Sequence, residues 1–192
     1  MRPATTITRW LAALAAVFVL GRALVASGVE SGSIEYKIKA GYLYNFGKFV
    51  EWPESRASTN GSPFVIGIID GDGALPVMEL VLAGKLIHNR PVEVKSVSPS
   101  NLDGSVHILF VTRSSGRTLA EIQGAVAGAP VLVVGETDLF AENGGMVGFV
   151  RENETIKLTL NLEAANRVGL KISSKLSSVS RLVKDQGIKS RK

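Results

Sequence analysis

Phe64 to Asp70 reads FVIGIID, a β-rich apolar run without alternation that ends at an acid and a glycine turn. A half-buried strand alternates, whereas a strand covered on both faces does not. The run therefore predicts an inner strand of a parallel sheet. Two more runs repeat the signature, Val106 to Val111 (VHILFV) and Val131 to Val134 (VLVV). Helical stretches separate them: Leu75 to Leu82 after the first, and Gly116 to Ala127 after the second. Strands alternating with helices imply a three-layer α/β domain with a mixed, mostly parallel central sheet. A further strand is expected from about Val92 to Val97. GGMVGFVRENETIKLTLN, residues 144–161, alternates more strongly and reads as an antiparallel strand pair near the C-terminus, joined through Glu152 to Glu154. Asn161 is placed to cap a helix over Leu162 to Val168 that stops at Gly169. KISSKLSSVSRLV, residues 171–183, predicts a final helix with Ile172, Leu176, Val179 and Val183 on one side.

Upstream of the first strand, Ile34 to Glu51 has helical spacing and stops before Trp52-Pro53, because the residue ahead of a proline avoids the helical region. The helix carries more apolar surface than one interface needs. Tyr36, Ala40, Leu43, Phe46, Gly47 and Val50 share a main arc. Ile38, Tyr42, Asn45 and Phe49 form an adjoining one. Lys39 falls inside the main arc, where an ammonium must snorkel, pair with a carboxylate or hold an anion. The second arc suits a groove wall or partner surface, with Trp52 as an aromatic anchor at the helix end.

The first 26 residues read as a cleaved secretory signal: Arg2 and Arg9, an apolar run from Trp10 to Leu20, then small residues at Ala23, Ala26 and Ser27. That run is shorter than the roughly 20 residues a spanning helix needs. Cleavage would remove three arginines and bring the net charge of +5 down to about +2. Residues 34–183 form one domain, and 184–192 read as a basic, flexible tail. No aromatic interleaves the tail's charges, which argues against nucleic acid.

Cysteine is absent, so disulfides and thiol chemistry are excluded. The two histidines, His88 and His107, lie on different elements and have no metal-ligand spacing. His107 reads as a hydrogen-bonded core or sheet-edge histidine. Asp70 and Asp72, in DGDG beyond the first strand, stand where α/β folds place ligand crevices. They can serve the turn, a cation or a sugar hydroxyl. Gly144, Gly145 and Gly148 lack the Lys-Ser or Lys-Thr of a phosphate cradle and read as permitting a tight turn and close strand approach. Ser114 and Ser115 lack the nucleophile-elbow pattern. The sequence asks for no cofactor and predicts no enzyme.

Six blocks carry a resemblance: YKIKAGYLYNFGKFVEWP (36–53), GKLIHNRPVEV (84–94), VHILFVT (106–112), PVLVVGE (130–136), GGMVGFV (144–150) and NLEAANRVGLKISSKL (161–176). In order and along nearly all of the mature chain, they resemble the YfiR family of exported bacterial proteins. The resemblance implies a small periplasmic α/β regulator, often dimeric, whose partner is the periplasmic domain of a membrane diguanylate cyclase or a sensor kinase. Restraint of the cyclase would limit cyclic di-GMP signalling and biofilm formation. Many relatives carry cysteines, one just before the His-Ile-Leu-Phe block, where this chain has Val106. Redox control of that kind is closed to it. The expected site residues are Lys39, Tyr42, Asn45, Phe49, Trp52, Asp70 and Asp72, contacting a partner or, in the alternative reading, a small ligand bound by a periplasmic sensor.

Overall fold

The computed structural model describes residues 32–56, 61–71, 73–102, 105–126 and 128–186. The expected signal segment, Asp72 and residues 187–192 of the expected tail lie outside them. Helix α1 spans 32–49 and runs into the short strand β1 (Val50–Glu51). There follow β2 (Phe64–Ile69), α2 (Ala74–Leu82), the hairpin β3 (Leu86–Ile87) and β4 (Arg90–Val97), and β5 (Val106–Val111). After α3 (Leu119–Val126) come β6 (Leu132–Gly135), β7 (Val147–Glu152), β8 (Thr155–Leu160), α4 (Leu162–Arg167), β9 (Lys171–Ile172), α5 (Ser174–Ser178) and β10 (Arg181–Leu182).

The strand order is β10-β8-β7-β6-β5-β2-β4-β3 in an 8-stranded sheet, with β1 and β9 forming a separate antiparallel pair. β4, β2, β5, β6 and β7 run parallel, and β7 and β8 pair antiparallel, as their alternation predicted. β2 and β5 are buried at every residue, which explains their unbroken apolar runs. α1 covers the face bearing Phe64, Phe110 and Phe149. The Phe46 ring stacks on Phe149 at 6.0 Å, and a Cβ on Gly47 would meet the Phe64 ring at 3.2 Å. On the opposite face Val133 shares a recess with Leu119 and Val126 of α3 and Ala164 of α4. Three layers result.

Local chemistry fixes the ends. Asn161 Oδ1 accepts from the Ala164 amide at 2.9 Å and caps α4 as its position predicted. Thr118 and Glu121 exchange capping bonds ahead of α3. A side chain at Gly145 would collide with the Phe140 ring, and one at Gly148 with Thr159 Oγ1, so these glycines serve close packing.

The C-terminal segment differs from the expected single helix. Only Ser174–Ser178 is helical, because Lys171–Ile172 pairs with Glu51–Val50 and Arg181–Leu182 pairs with Thr159–Leu160. Val179 is exposed. Pairing with distant strand edges overrides the local helical spacing. For the same reason α1 stops at 49, two residues short of the expected Glu51.

His107 stitches a bulge. Val65 pairs with Val106 and Ile66 with Ile108, so His107 is the extra residue of β5 opposite β2. The bulge would orphan the Val65 amide. It donates instead to His107 Nδ1 at 3.2 Å.

The two glycines of α1 separate packing from propensity. A Cβ on Gly41 meets nothing within 4 Å, so Gly41→Ala should raise stability by about 0.5–1 kcal/mol through helix propensity. Gly47→Val should lower it by about 1–3 kcal/mol, because the branch is driven against Ile87 and Phe64. Urea unfolding of both variants measures the contrast.

Candidate functional site

Lys39 is 4% exposed, and the structure shows which of its three options it takes. Its ammonium pairs with Glu35, one turn back on α1, and with Glu136, which follows β6. The Glu35 to Lys39 spacing has the favourable orientation for a helical ion pair. Glu136 does further work. Its Oε1 accepts from the Arg113 amide at 2.7 Å, and its backbone carbonyl accepts from the Arg113 guanidinium at 2.7 Å. Arg113 also reaches Asp138 at 2.9 Å. One carboxylate thus ties α1, the turn after β5 and the turn after β6 together.

These groups open onto a cavity of about 470 Å³ at the carboxyl ends of β5 and β6, the place where α/β sheets bind ligands. Tyr36, Phe149 and Ile156 supply its apolar wall, and Arg113 and Arg151 its cationic rim. The Lys39 ammonium lies 5.3 Å from the Tyr36 ring centroid and 5.8 Å from that of Phe149. Burial, then the charges of Glu136 and Glu35, push the Tyr36 hydroxyl up to about 12. It stays protonated throughout the ordinary pH range and can donate a hydrogen bond.

The other expected residues are distributed around this centre. Tyr42 leans on Phe149 at 5.8 Å and is half-buried. Asn45 is exposed, and Phe49 is half-buried against the core with the Lys175 ammonium 5.8 Å from its ring centroid. With Ile34 and Ile38, which are 57% and 47% exposed, they make a stripe along the outside of α1. Trp52 lies beyond the opposite end of α1 from the Lys39 cavity and packs edge-on against Phe64 at 5.2 Å and near His107 at 6.2 Å. Asp70, with φ 45°, bonds Arg117 at 2.8 Å at the carboxyl end of β2. Asp70 is not among the residues lining the Lys39 cavity.

Sequence reasoning missed Glu35, Glu136, Arg113 and Arg151. Glu35 was visible four residues before Lys39. Glu136 is 97 residues away, and its one signal was an acid at the end of a buried parallel strand.

A family model described as YfiR/HmsC-like matches residues 36–181, a span that holds α1 from Tyr36, the whole sheet up to Arg181 and the Lys39–Glu136 pair. The chain belongs to the YfiR/HmsC-like family. No curated protein sequence matches this member. Among solved structures, the crystal structure of a conserved domain protein from Vibrio cholerae is similar at 14% identity and a TM-score of 0.45. The alignment covers 62% of this chain and 54% of that one. Among the described residues of this YfiR/HmsC-like chain, no helix is long and apolar enough to cross a membrane, and no cluster of His, Asp and Glu could hold a metal ion.

Removing one partner of a buried ion pair strands the other, at a cost of about 3–5 kcal/mol, whereas replacing both by apolar groups is close to neutral. Lys39→Met should therefore lose about that much stability in urea unfolding. Glu136→Leu in the Lys39→Met background should recover only part of it, because it also takes the acceptor from the Arg113 amide, yet the double-mutant cycle should still show a coupling energy above about 1 kcal/mol.

His107 supplies a pH dependence. Burial, then the charges of Arg90 and Arg56, push its imidazole down to about 4, outweighing an opposing bond to the Ser105 backbone. The folded state keeps the ring neutral while the unfolded chain takes up a proton near 6.5. Stability due to this group is complete above pH 6.5 and is lost as the pH falls from 6.5 to about 4, by up to about 3 kcal/mol. Urea midpoints between pH 7.5 and 4 should show this loss, and His107→Asn should show less of it.

Proposed function

We propose that this YfiR/HmsC-like protein is an exported regulator that binds and restrains the periplasmic sensor domain of a membrane signalling protein such as a diguanylate cyclase, and so tunes cyclic di-GMP signalling. The family supplies the class of partner. The observation that carries the reading is the outer stripe of α1: Ile34, Ile38, Tyr42, Asn45 and Phe49 recur at three and four residues, the spacing of a helical contact face. Ile34 and Ile38 adjoin Ile156 in a shallow recess of about 220 Å³, edged by Arg151 and Glu154. An apolar centre with a charged rim is the composition of a protein interface. Because Lys39 and the main arc hold the inner side of α1, the stripe is presented on a fixed frame. The fold does not need the Ile34 and Ile38 side chains.

A second reading keeps the protein as a periplasmic small-ligand sensor. The Lys39 cavity at the strand carboxyl ends supports it, since its volume falls in the range of small-molecule sites.

Ile34→Glu and Ile38→Glu should weaken binding to the periplasmic domain of the cyclase encoded nearest this gene by at least about tenfold. Their stability should stay within about 0.5 kcal/mol of the parent, because both positions are exposed. Calorimetric titration and urea unfolding measure the two effects. Undiminished cyclase binding by both variants would remove the stripe from the contact. A change in self-association alone would assign it to a homodimer.

A further inference from the structure

The apolar layer beneath α1 runs out of sheet before it runs out of helix. Ile34 and Ile38 adjoin Ile156 of β8 in one recess, yet both are exposed. Only β10 lies outside β8, and it reaches back along that strand no further than Thr159. Beyond Ile156 no strand follows among the described residues.

The hydrogen-bond pattern shows what that edge presents. The Leu160 carbonyl accepts from the Val183 amide at 3.0 Å, on the side away from β7, whereas the Asn161 amide bonds the Met146 carbonyl at 2.9 Å on the β7 side. Alternate residues of a strand turn their backbone groups to the same edge, so those of Leu158 and Ile156 point outward with those of Leu160. β10 stands opposite Thr159 and Leu160 alone, which leaves the amide and carbonyl of Ile156 facing no strand. The edge is held firmly. Asn153 and Glu154, at φ 45° and 64°, form the two-residue turn that joins β7 to β8, and Arg151 ties this hairpin to α1 through Glu35 at 3.5 Å.

Given the outer stripe of α1 as the partner contact, a reading on which this step rests, we propose that the free edge of β8 takes an extended segment of the partner domain as an added strand. Main-chain bonds to Ile156 supply the affinity common to strand addition. The residue of the segment that lies opposite Ile156 shares its face, enters the recess beneath Ile34 and Ile38, and is apolar. Its neighbour along the segment points to the other face, where Lys157 is exposed and has no carboxylate partner among the described residues. That neighbour is acidic. A second copy of this chain is a poor occupant. An antiparallel pairing of β8 with its twin that uses the outward groups of Ile156 and Leu158 sets Lys157 directly opposite Lys157, and like charges so placed repel. Centring the pair on Ile156 instead leaves one residue of each copy to make the bonds.

Amide exchange, read by NMR on the intact chain with the periplasmic domain of the cyclase encoded nearest this gene as the probe, tests the strand without a mutation. The Ile156 amide should exchange at least about tenfold more slowly in the saturated complex, while the Lys157 amide, which faces β7, changes little. Ile156→Pro deletes the outward amide at an edge position, where proline is tolerated. It should bind the domain about tenfold more weakly than Ile156→Ala, which keeps the amide. Lys157→Glu should weaken binding by about three- to tenfold. The proposal is overturned if the Ile156 amide keeps its free exchange rate in the saturated complex, if Ile156→Pro binds as tightly as Ile156→Ala, or if Lys157→Glu binds as tightly as the parent. Should Ile156→Pro unfold, exchange in the parent still decides. Protection of Ile156 that grows with the concentration of this chain alone would give the edge to a second copy and overturn the proposal too. The two readings fail separately: if Ile34→Glu and Ile38→Glu weaken binding while Ile156 stays unprotected, the stripe stands and the strand falls, whereas a parent that does not bind the domain removes both.

Discussion

A buried ammonium cannot stand alone, and in this protein the partner that Lys39 finds sets where the first helix lies. Glu35 is local to α1 and restrains nothing beyond it. Glu136 is on the far side of the sheet's sequence and, through its bonds to the Arg113 amide, carries the turn after β5 with it. Once Lys39 meets Glu136, α1 is registered along the carboxyl ends of β5 and β6 to within a side chain's length. The Phe46, Phe110 and Phe149 contacts then fill the space between helix and sheet. Hydrophobic packing alone would tolerate a helix shifted by one turn, since apolar contact is not directional. The ion pair would not, because a shift leaves the Glu136 carboxylate buried away from the ammonium it pairs with.

The inner strands and their intervening helices were legible because unbroken β-rich runs have a direct physical meaning, burial on both faces. FVIGII and VHILFV are buried at every residue. The segment 171–183 was not legible, because its spacing fits a helix while its ends are captured by the edges of β1 and β8. Two-residue strands leave no periodicity to read. At the site, Lys39 was conspicuous for standing on an apolar arc, but its long-range partner was not, as nothing local distinguishes Glu136 from a solvated acid after a strand. His107 could be read as a satisfied core histidine. The bulge that requires it could not, since a register shift between β2 and β5 leaves no mark on either strand alone.

The two ends of α1 are electrostatically unlike. At the carboxyl end of the sheet, Lys39, Arg113 and Arg151 are matched by Glu35, Glu136, Asp138 and Glu154 in ion pairs, and charge is locally consumed. At the amino end, Arg90 is held by carbonyls and lies over an aromatic ring, which fixes its geometry without cancelling its charge. Membership in the YfiR/HmsC-like family speaks to the protein as a whole and does not distinguish the ends. Their chemistry does: paired charges fix position at one end, and backbone carbonyls fix the Arg90 guanidinium at the other.

That contrast constrains how one end could influence the other. The helix is about 27 Å long, and its inner face is pinned at Lys39, so an event at the Trp52 end cannot be transmitted by sliding α1 along its axis without breaking a buried ion pair. The free route is through the strand that continues the helix. β1 joins α1 to β9, and the Ser173 amide after β9 bonds the Phe49 carbonyl at 3.0 Å. Val50 and Glu51, which line a recess around Trp52, are thereby joined to Phe49, the last residue of the outer stripe, and to the start of α5. Of the stripe residues, Phe49 is the one tied to both ends, whereas Ile34 and Ile38 sit on the pinned side of Lys39. The Phe49 end of the stripe is therefore bonded to the amino end of the sheet through β1 and β9, whereas the isoleucines lie beyond the Lys39 pair.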